Sequence, residues 1–104
     1  MGRLLYGSSH LEIEFEDRVL AHLQAVIGVK LRRHEGFFFS WRDDPAIGDG
    51  RSSIWIESSI PLFFAFSTTE RHQLNREWLE ELTHSANQSQ GLTLIPEPGS
   101  AIVA

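Results

Sequence analysis

Leu11-Glu12-Ile13-Glu14-Phe15-Glu16 alternates apolar and acidic side chains, the clearest strand pattern in the chain. One face of such a strand belongs to a core, and the other carries three like charges toward water. Arg3 to Tyr6 predicts a shorter strand, and Gly7-Ser8-Ser9 a turn between the two, so the chain opens on a hairpin. The period then changes. Val19, Leu20, Leu23, Val26, Ile27 and Leu31 share one stripe at helical spacing, which predicts a helix from about Arg18 to Arg33. Asp17 stands at its N-cap position, and Lys30, Arg32, Arg33 and His34 crowd its last turn. Gly36 reads as its stop.

Strand patterns return at Phe37–Trp41, Ser53–Glu57 and Leu62–Phe66. With the connections between them they predict a three-stranded meander. Asn75 is a good N-cap for a second helix over Arg76–Ala86, with Trp78, Leu79, Leu82 and Ala86 on its inward side. Gly91 opens a last short strand, Leu92–Ile95, and Pro96-Glu97-Pro98-Gly99 ends regular structure. The order is ββαβββαβ. Helices and strands do not strictly alternate, which argues against a doubly wound parallel sheet. The expected fold class is α+β: two layers, a mostly antiparallel sheet with two helices on one face. Residues 1–98 form the expected single domain and 99–104 a C-terminal tail.

At 104 residues, 41% hydrophobic and 22% charged, the chain has the mix of one globular domain. It contains no cysteine, which excludes disulfides and thiolate metal sites. The run from Met1 to Gly7 is too short for a signal peptide, and Ile60 to Phe66 is too short to span a bilayer. A cytoplasmic location without a membrane partner is therefore expected. The net charge of −5 makes long-range attraction to nucleic acid a poor default. Eight of the nine basic residues are Arg, which suits planar or stacked recognition better than Lys does.

The aromatic residues change the picture most. Alternation puts Phe37, Phe39, Trp41, Ile54, Ile56, Leu62, Phe64 and Phe66 on one face of the expected meander, toward the helices. It puts Phe38, Ser40, Arg42, Ser53, Trp55 and Phe63 on the other. Three large rings on a face left to water are an interface signal. Four readings stay open at this point: a homodimer interface, a patch covered by the last strand and the tail Ala101-Ile102-Val103-Ala104, a bulge that reverses the faces, or a ligand or nucleic-acid platform. On the last reading Phe38, Trp55 and Phe63 stack on bases, while Arg42 and Arg51 meet phosphates.

Catalytic and cofactor motifs are harder to assemble. Gly48-Asp49-Gly50 lacks the third glycine of a dinucleotide loop and precedes a strand. Asp43, Asp44 and Asp49 could gather at a divalent cation, although Asp, Pro and Gly are also ordinary turn builders. The five histidines show no short ligand spacing and read as exposed or partly packed. No nucleophile elbow occurs. Lys30 falls inside the apolar stripe, where a desolvated amine can be a nucleophile and a long stem can equally snorkel outward. No catalytic residue, metal or cofactor is expected. A small-molecule pocket beside the Arg42–Ser52 connection is a third possibility.

Gly2-Arg3-Leu4-Leu5-Tyr6-Gly7-Ser8, Leu20-Ala21-His22-Leu23-Gln24, Phe37-Phe38-Phe39-Ser40-Trp41, Gly48-Asp49-Gly50-Arg51-Ser52, Leu74-Asn75-Arg76-Glu77-Trp78 and Ile95-Pro96-Glu97-Pro98 together resemble a family of small uncharacterised actinobacterial proteins. Many of its members carry the label "ATP-dependent DNA ligase". The resemblance brings no catalytic residues with it. Such ligases form an adenylate on the Lys of a Lys-x-Asp-Gly pattern, and the nearest segment here, Ile47-Gly48-Asp49-Gly50, has Ile in that place. A nucleotidyltransferase domain also needs roughly twice this length. The expectation is a non-enzymatic interaction domain acting as a homodimer, with a nucleic-acid-associated module as the alternative.

Overall fold

The computed structural model of the chain describes residues 1–43, 48 and 50–99. Its elements run β1 (Gly2–Tyr6), β2 (Leu11–Phe15), α1 (Asp17–Arg32), β3 (Phe37–Arg42), β4 (Arg51–Ile56), β5 (Leu62–Ala65), α2 (Arg76–Ala86) and β6 (Leu92–Thr93). The class is α+β, and the order is the expected ββαβββαβ. The strands divide between two three-stranded sheets, β2-β1-β5 and β4-β3-β6. Three of the pairings are antiparallel, and β3 with β6 is parallel. The expected meander is corrected here. β4 pairs with β3, but β5 pairs with β1, Arg3 facing Ala65 and Leu5 facing Phe63.

The chain comprises two compact units, and each gathers distant segments. The first holds residues 1–35 and 57–74, and the second residues 36–56 and 75–104. In the first, β1 and β2 form the hairpin that the alternation predicts, with Leu4 opposite Ile13. Leu4, Ile13, Phe15, Leu20, Leu23, Val26 and Ile27 are buried, and α1 packs on β1. His22 is fully buried as well, beyond the exposed or partly packed state expected of the histidines. It lies at the edge of the apolar stripe, and its Nδ1–H donates to the Arg18 carbonyl at 2.7 Å, a polar partner within its own helix.

The ends of α1 differ from their sequence reading. Asp17 is the first helical residue rather than the cap, and the Glu16 side chain makes no cap bond. The Asp17 carboxylate instead accepts the Ser67 amide at 3.1 Å and the Ser67 hydroxyl at 2.8 Å. It thereby ties the segment after β5 to the start of the helix. At the far end, His34 adopts the left-handed conformation, φ 57°. The Glu35 amide bonds to the Lys30 carbonyl and the His34 amide to the Leu31 carbonyl. That is the Schellman pattern, with histidine in the usual glycine place. Gly36 is therefore not the helix stop.

In the second unit, Phe37, Phe39, Ile56, Trp78, Leu82, Ala86 and Leu92 are buried, and α2 packs on β3 and β6. Phe39 and Trp41 touch on the inward face, with ring centroids 5.2 Å apart. Asn75 caps α2 as its position predicts, accepting the Trp78 amide at 3.2 Å. Its amide nitrogen also donates to Glu97 at 2.9 Å and to the Pro98 carbonyl at 3.2 Å, which fastens the segment after β6 to the helix start.

Candidate functional site

Register builds the second unit's outer surface residue by residue. Phe38 faces Trp55, Ser40 faces Ser53, and Arg42 faces Arg51 across β3 and β4. Alternation along both strands sends these three pairs to the face opposite Phe37, Phe39 and Ile56. The result is a strip with two exposed rings at one end, an exposed Ser53 beside a buried Ser40 in the middle and two guanidiniums at the other end.

Phe38 is 48% exposed and Trp55 45%, high values for rings of this size. They meet edge to face, with centroids 5.1 Å apart and planes at 70°. This is the favoured geometry for aromatic quadrupoles. Gly36 explains where the indole lies: a Cβ there would sit 2.5 Å from the Trp55 Cζ2. The glycine read from sequence as a helix terminator is the seat of the Trp55 ring. The hydroxyls of Ser40 and Ser53 hydrogen-bond at 2.5 Å. Beyond them Arg42 and Arg51, both exposed, stand opposite each other, an arrangement of like charges that a sheet tolerates poorly without a counter-charge.

Phe63 is the most exposed ring of the three, at 63%, but it belongs to the other sheet, opposite Leu5 on β1. The strands bring Phe38, Trp55, Arg42 and Arg51 together, and Phe63 is not part of that set. The difference follows from the partner of β5, which local patterning does not specify. Of the suggested cover for the aromatic patch, the tail Ala101–Ala104 lies outside the described residues, and the last strand pairs with β3 within the sheet.

The other chemical candidates resolve as follows. Asp44 and Asp49 lie outside the described residues, and Asp43 accepts the Ser52 hydroxyl at 2.6 Å. Among the described residues no three His, Asp or Glu side chains gather as metal ligands. Lys30 is buried, and its ammonium lies 2.8 Å from the Glu35 carboxylate, which it reaches across the Schellman turn. That contact, first of all, holds the Glu35 carboxyl below its ordinary pKa against the opposing effect of partial desolvation. The pocket expected beside the Arg42–Ser52 connection falls largely on residues 44–47 and 49, outside those described. A cleft does occur in the first unit, between α1 and residues 66–74.

Asp17 has a measurable signature. Desolvation raises its pKa, but the Ser67 hydroxyl and the amides of Ser67 and Thr68 outweigh that and hold it below the ordinary aspartate value. A depressed carboxylate contributes stability that is complete above its unfolded pKa and is lost as pH falls through the folded value. Ser67→Ala is therefore expected to lower the urea midpoint at neutral pH. The deficit should shrink steadily as the solution is acidified below about pH 4. Equal deficits at neutral and acid pH would show that the Asp17 ionisation has no part in holding Ser67.

The fold and this strip define a small α+β domain with an exposed aromatic and cationic sheet face, and no helix among the described residues is long and apolar enough to cross a membrane. The chain belongs to the family described as Domain of unknown function (DUF7882), which matches residues 1–97. No curated protein and no solved structure matches it.

Proposed function

We propose that the chain is a non-enzymatic, cytoplasmic interaction domain that works as a homodimer through the β3–β4 face. The observation that carries this reading is the exposed Phe38–Trp55 pair on the same strip as Arg42 and Arg51. The strip is self-complementary. A two-fold axis through its serine pair lays the guanidiniums of one copy over the rings of the other. Arginine over an indole or phenyl face is attractive, about 1–2 kcal/mol when desolvated. An isologous contact needs this kind of self-matching. It also places each crowded arginine pair against the negative faces of two rings.

The test is sedimentation of the full chain across micromolar concentrations. The natural sequence should show a concentration-dependent dimer. Phe38→Ser with Trp55→Ser should weaken it by at least about a hundredfold, since aromatic anchors buried in an interface carry roughly 2 kcal/mol or more each. Both side chains are half exposed, so the double variant should keep its fold. A strict monomer at every concentration overturns the dimer.

The alternative is a nucleic-acid-associated module on the same strip. The facing Arg42–Arg51 pair favours it, because two guanidiniums side by side suit a phosphate beside rings able to stack on bases. A mobility-shift assay with single-stranded DNA and RNA separates the two readings. Binding at low salt that collapses as salt rises supports the module, and no binding at low salt removes it. Ligase activity does not enter either reading, since Ile47 stands where the adenylated lysine would be.

A further inference from the structure

The first unit carries a cleft of about 820 Å³ between α1 and the segment after β5, within the range of roughly 300–1,000 Å³ typical of small-ligand sites. Two ties hold that segment. Ser67 is bound to the Asp17 carboxylate, and the Arg18 guanidinium donates to the Gln73 carbonyl at 2.9 Å. Both ties grip the first turn of α1 and leave the middle of the helix uncovered. There Ala21, Ala25 and Gly28 form a floor of small side chains, and Phe64 and Phe66 supply apolar wall. Gly28 is an internal helical glycine, a residue that weakens a helix relative to alanine. A Cβ at this position would meet nothing within 4 Å, so no neighbour among the described residues requires the glycine.

The charge around this apolar floor runs against that of the whole chain. The net charge is −5, yet the cleft is lined by two guanidiniums, Arg32 and Arg71, and the imidazole of His72, against the one carboxylate of Glu70. Arg32 is folded back, its Nε 3.5 Å from the Gly28 carbonyl, which keeps the cation beside the glycine end of the floor. Arginine's planar fork matches a carboxylate. The C-terminal end of α1 disfavours extra negative charge there, which suits a monoanion better than a dianion. We propose that this cleft binds a small carboxylate with an apolar body, the chain or ring lying over Ala21, Ala25 and Gly28 and the anion meeting Arg32 and Arg71.

The site is in a different unit from the aromatic strip, so its test is independent of the dimer. The full chain, labelled with ¹⁵N, is titrated with decanoate and with the uncharged decanol. Saturable shifts confined to residues 21–32 and 64–74, with decanol at least about tenfold weaker, are expected. Arg32→Gln with Arg71→Gln should bring decanoate down to the decanol level and leave decanol unchanged. Gly28→Leu should abolish binding of both while the melting temperature holds or rises, which separates loss of the cleft from loss of the fold. The proposal is overturned by absence of saturable decanoate binding, by equal affinity for decanol, by shifts centred elsewhere, or by unaltered binding to a folded Gly28→Leu variant.

Discussion

Gly91→Ala is expected to be the most damaging single-methyl change in the chain, lowering stability by about 3 kcal/mol or more. Two costs coincide at this position. Gly91 has φ +88°, a conformation that L side chains rarely adopt, and it lies directly against β3, where an added Cβ would overlap the Phe38 carbonyl oxygen and crowd the Phe38 nitrogen. The obstacle is backbone and cannot swing aside. Its own neighbours are committed too: the Gly91 carbonyl accepts the Ser85 hydroxyl at 3.2 Å, and the same hydroxyl accepts the Thr93 amide at 2.8 Å. Moving Gly91 away from Phe38 therefore disturbs the entry to β6 and the end of α2 together. For a domain of this size the melting temperature should fall by more than roughly 10 °C. Gly7→Ala is the control. Gly7 has φ +75° but open space around its Cβ position, so it reports the left-handed conformation alone, about 1 kcal/mol. Equal losses for the two variants would refute the close approach of Gly91 to β3.

Trp78→Ala should cost about 3–5 kcal/mol, the usual range for deleting a buried aromatic ring. Trp78 is 2% exposed at the start of α2, and its Nε1–H donates to the Ile95 carbonyl at 3.0 Å. The ring thus fills core and also holds the segment after β6. Trp78→Phe divides the two roles, since it keeps most of the apolar volume and removes the donor. A loss of about 1–3 kcal/mol is expected for Phe, the penalty for leaving a poorly solvated carbonyl unpaired. Urea unfolding of the two variants beside the natural sequence measures both numbers. A phenylalanine variant as unstable as the alanine variant would mean that the hydrogen bond, not the ring volume, carries the position.

Local patterning made the individual elements readable. The Leu11–Phe15 alternation, the α1 stripe and the Asn75 cap each need only a few neighbouring residues, and each forms the element its sequence predicts, although Leu11 at the strand's start is exposed rather than in the core. Alternation in β3 and β4 also correctly sent Phe38 and Trp55 outward and Phe37 and Phe39 inward. What local pattern could not supply was the partner of β5. Ile60 to Phe66 is apolar enough to lie beside either β4 or β1, and that choice depends on contacts made far along the chain. Phe63 was grouped with Phe38 and Trp55 for that reason. Asp17 and Gly36 were misread for a related one. A carboxylate at a helix start suggests a cap, and a glycine after a helix suggests a stop, until a distant Ser67 or the Trp55 indole takes the place. The cleft in the first unit had no sequence signature beyond an internal glycine, because its wall comes from residues some forty positions away from its floor.

The pairing of Arg3 with Ala65 and of Phe39 with Leu92 means that no contiguous fragment contains one sheet whole without also carrying strands of the other. Cutting the chain at its midpoint would yield two incomplete polypeptides rather than two modules. During synthesis the opening hairpin must wait for its third strand until β3 and β4 have already emerged, which favours slow, late consolidation over stepwise maturation from the N-terminus.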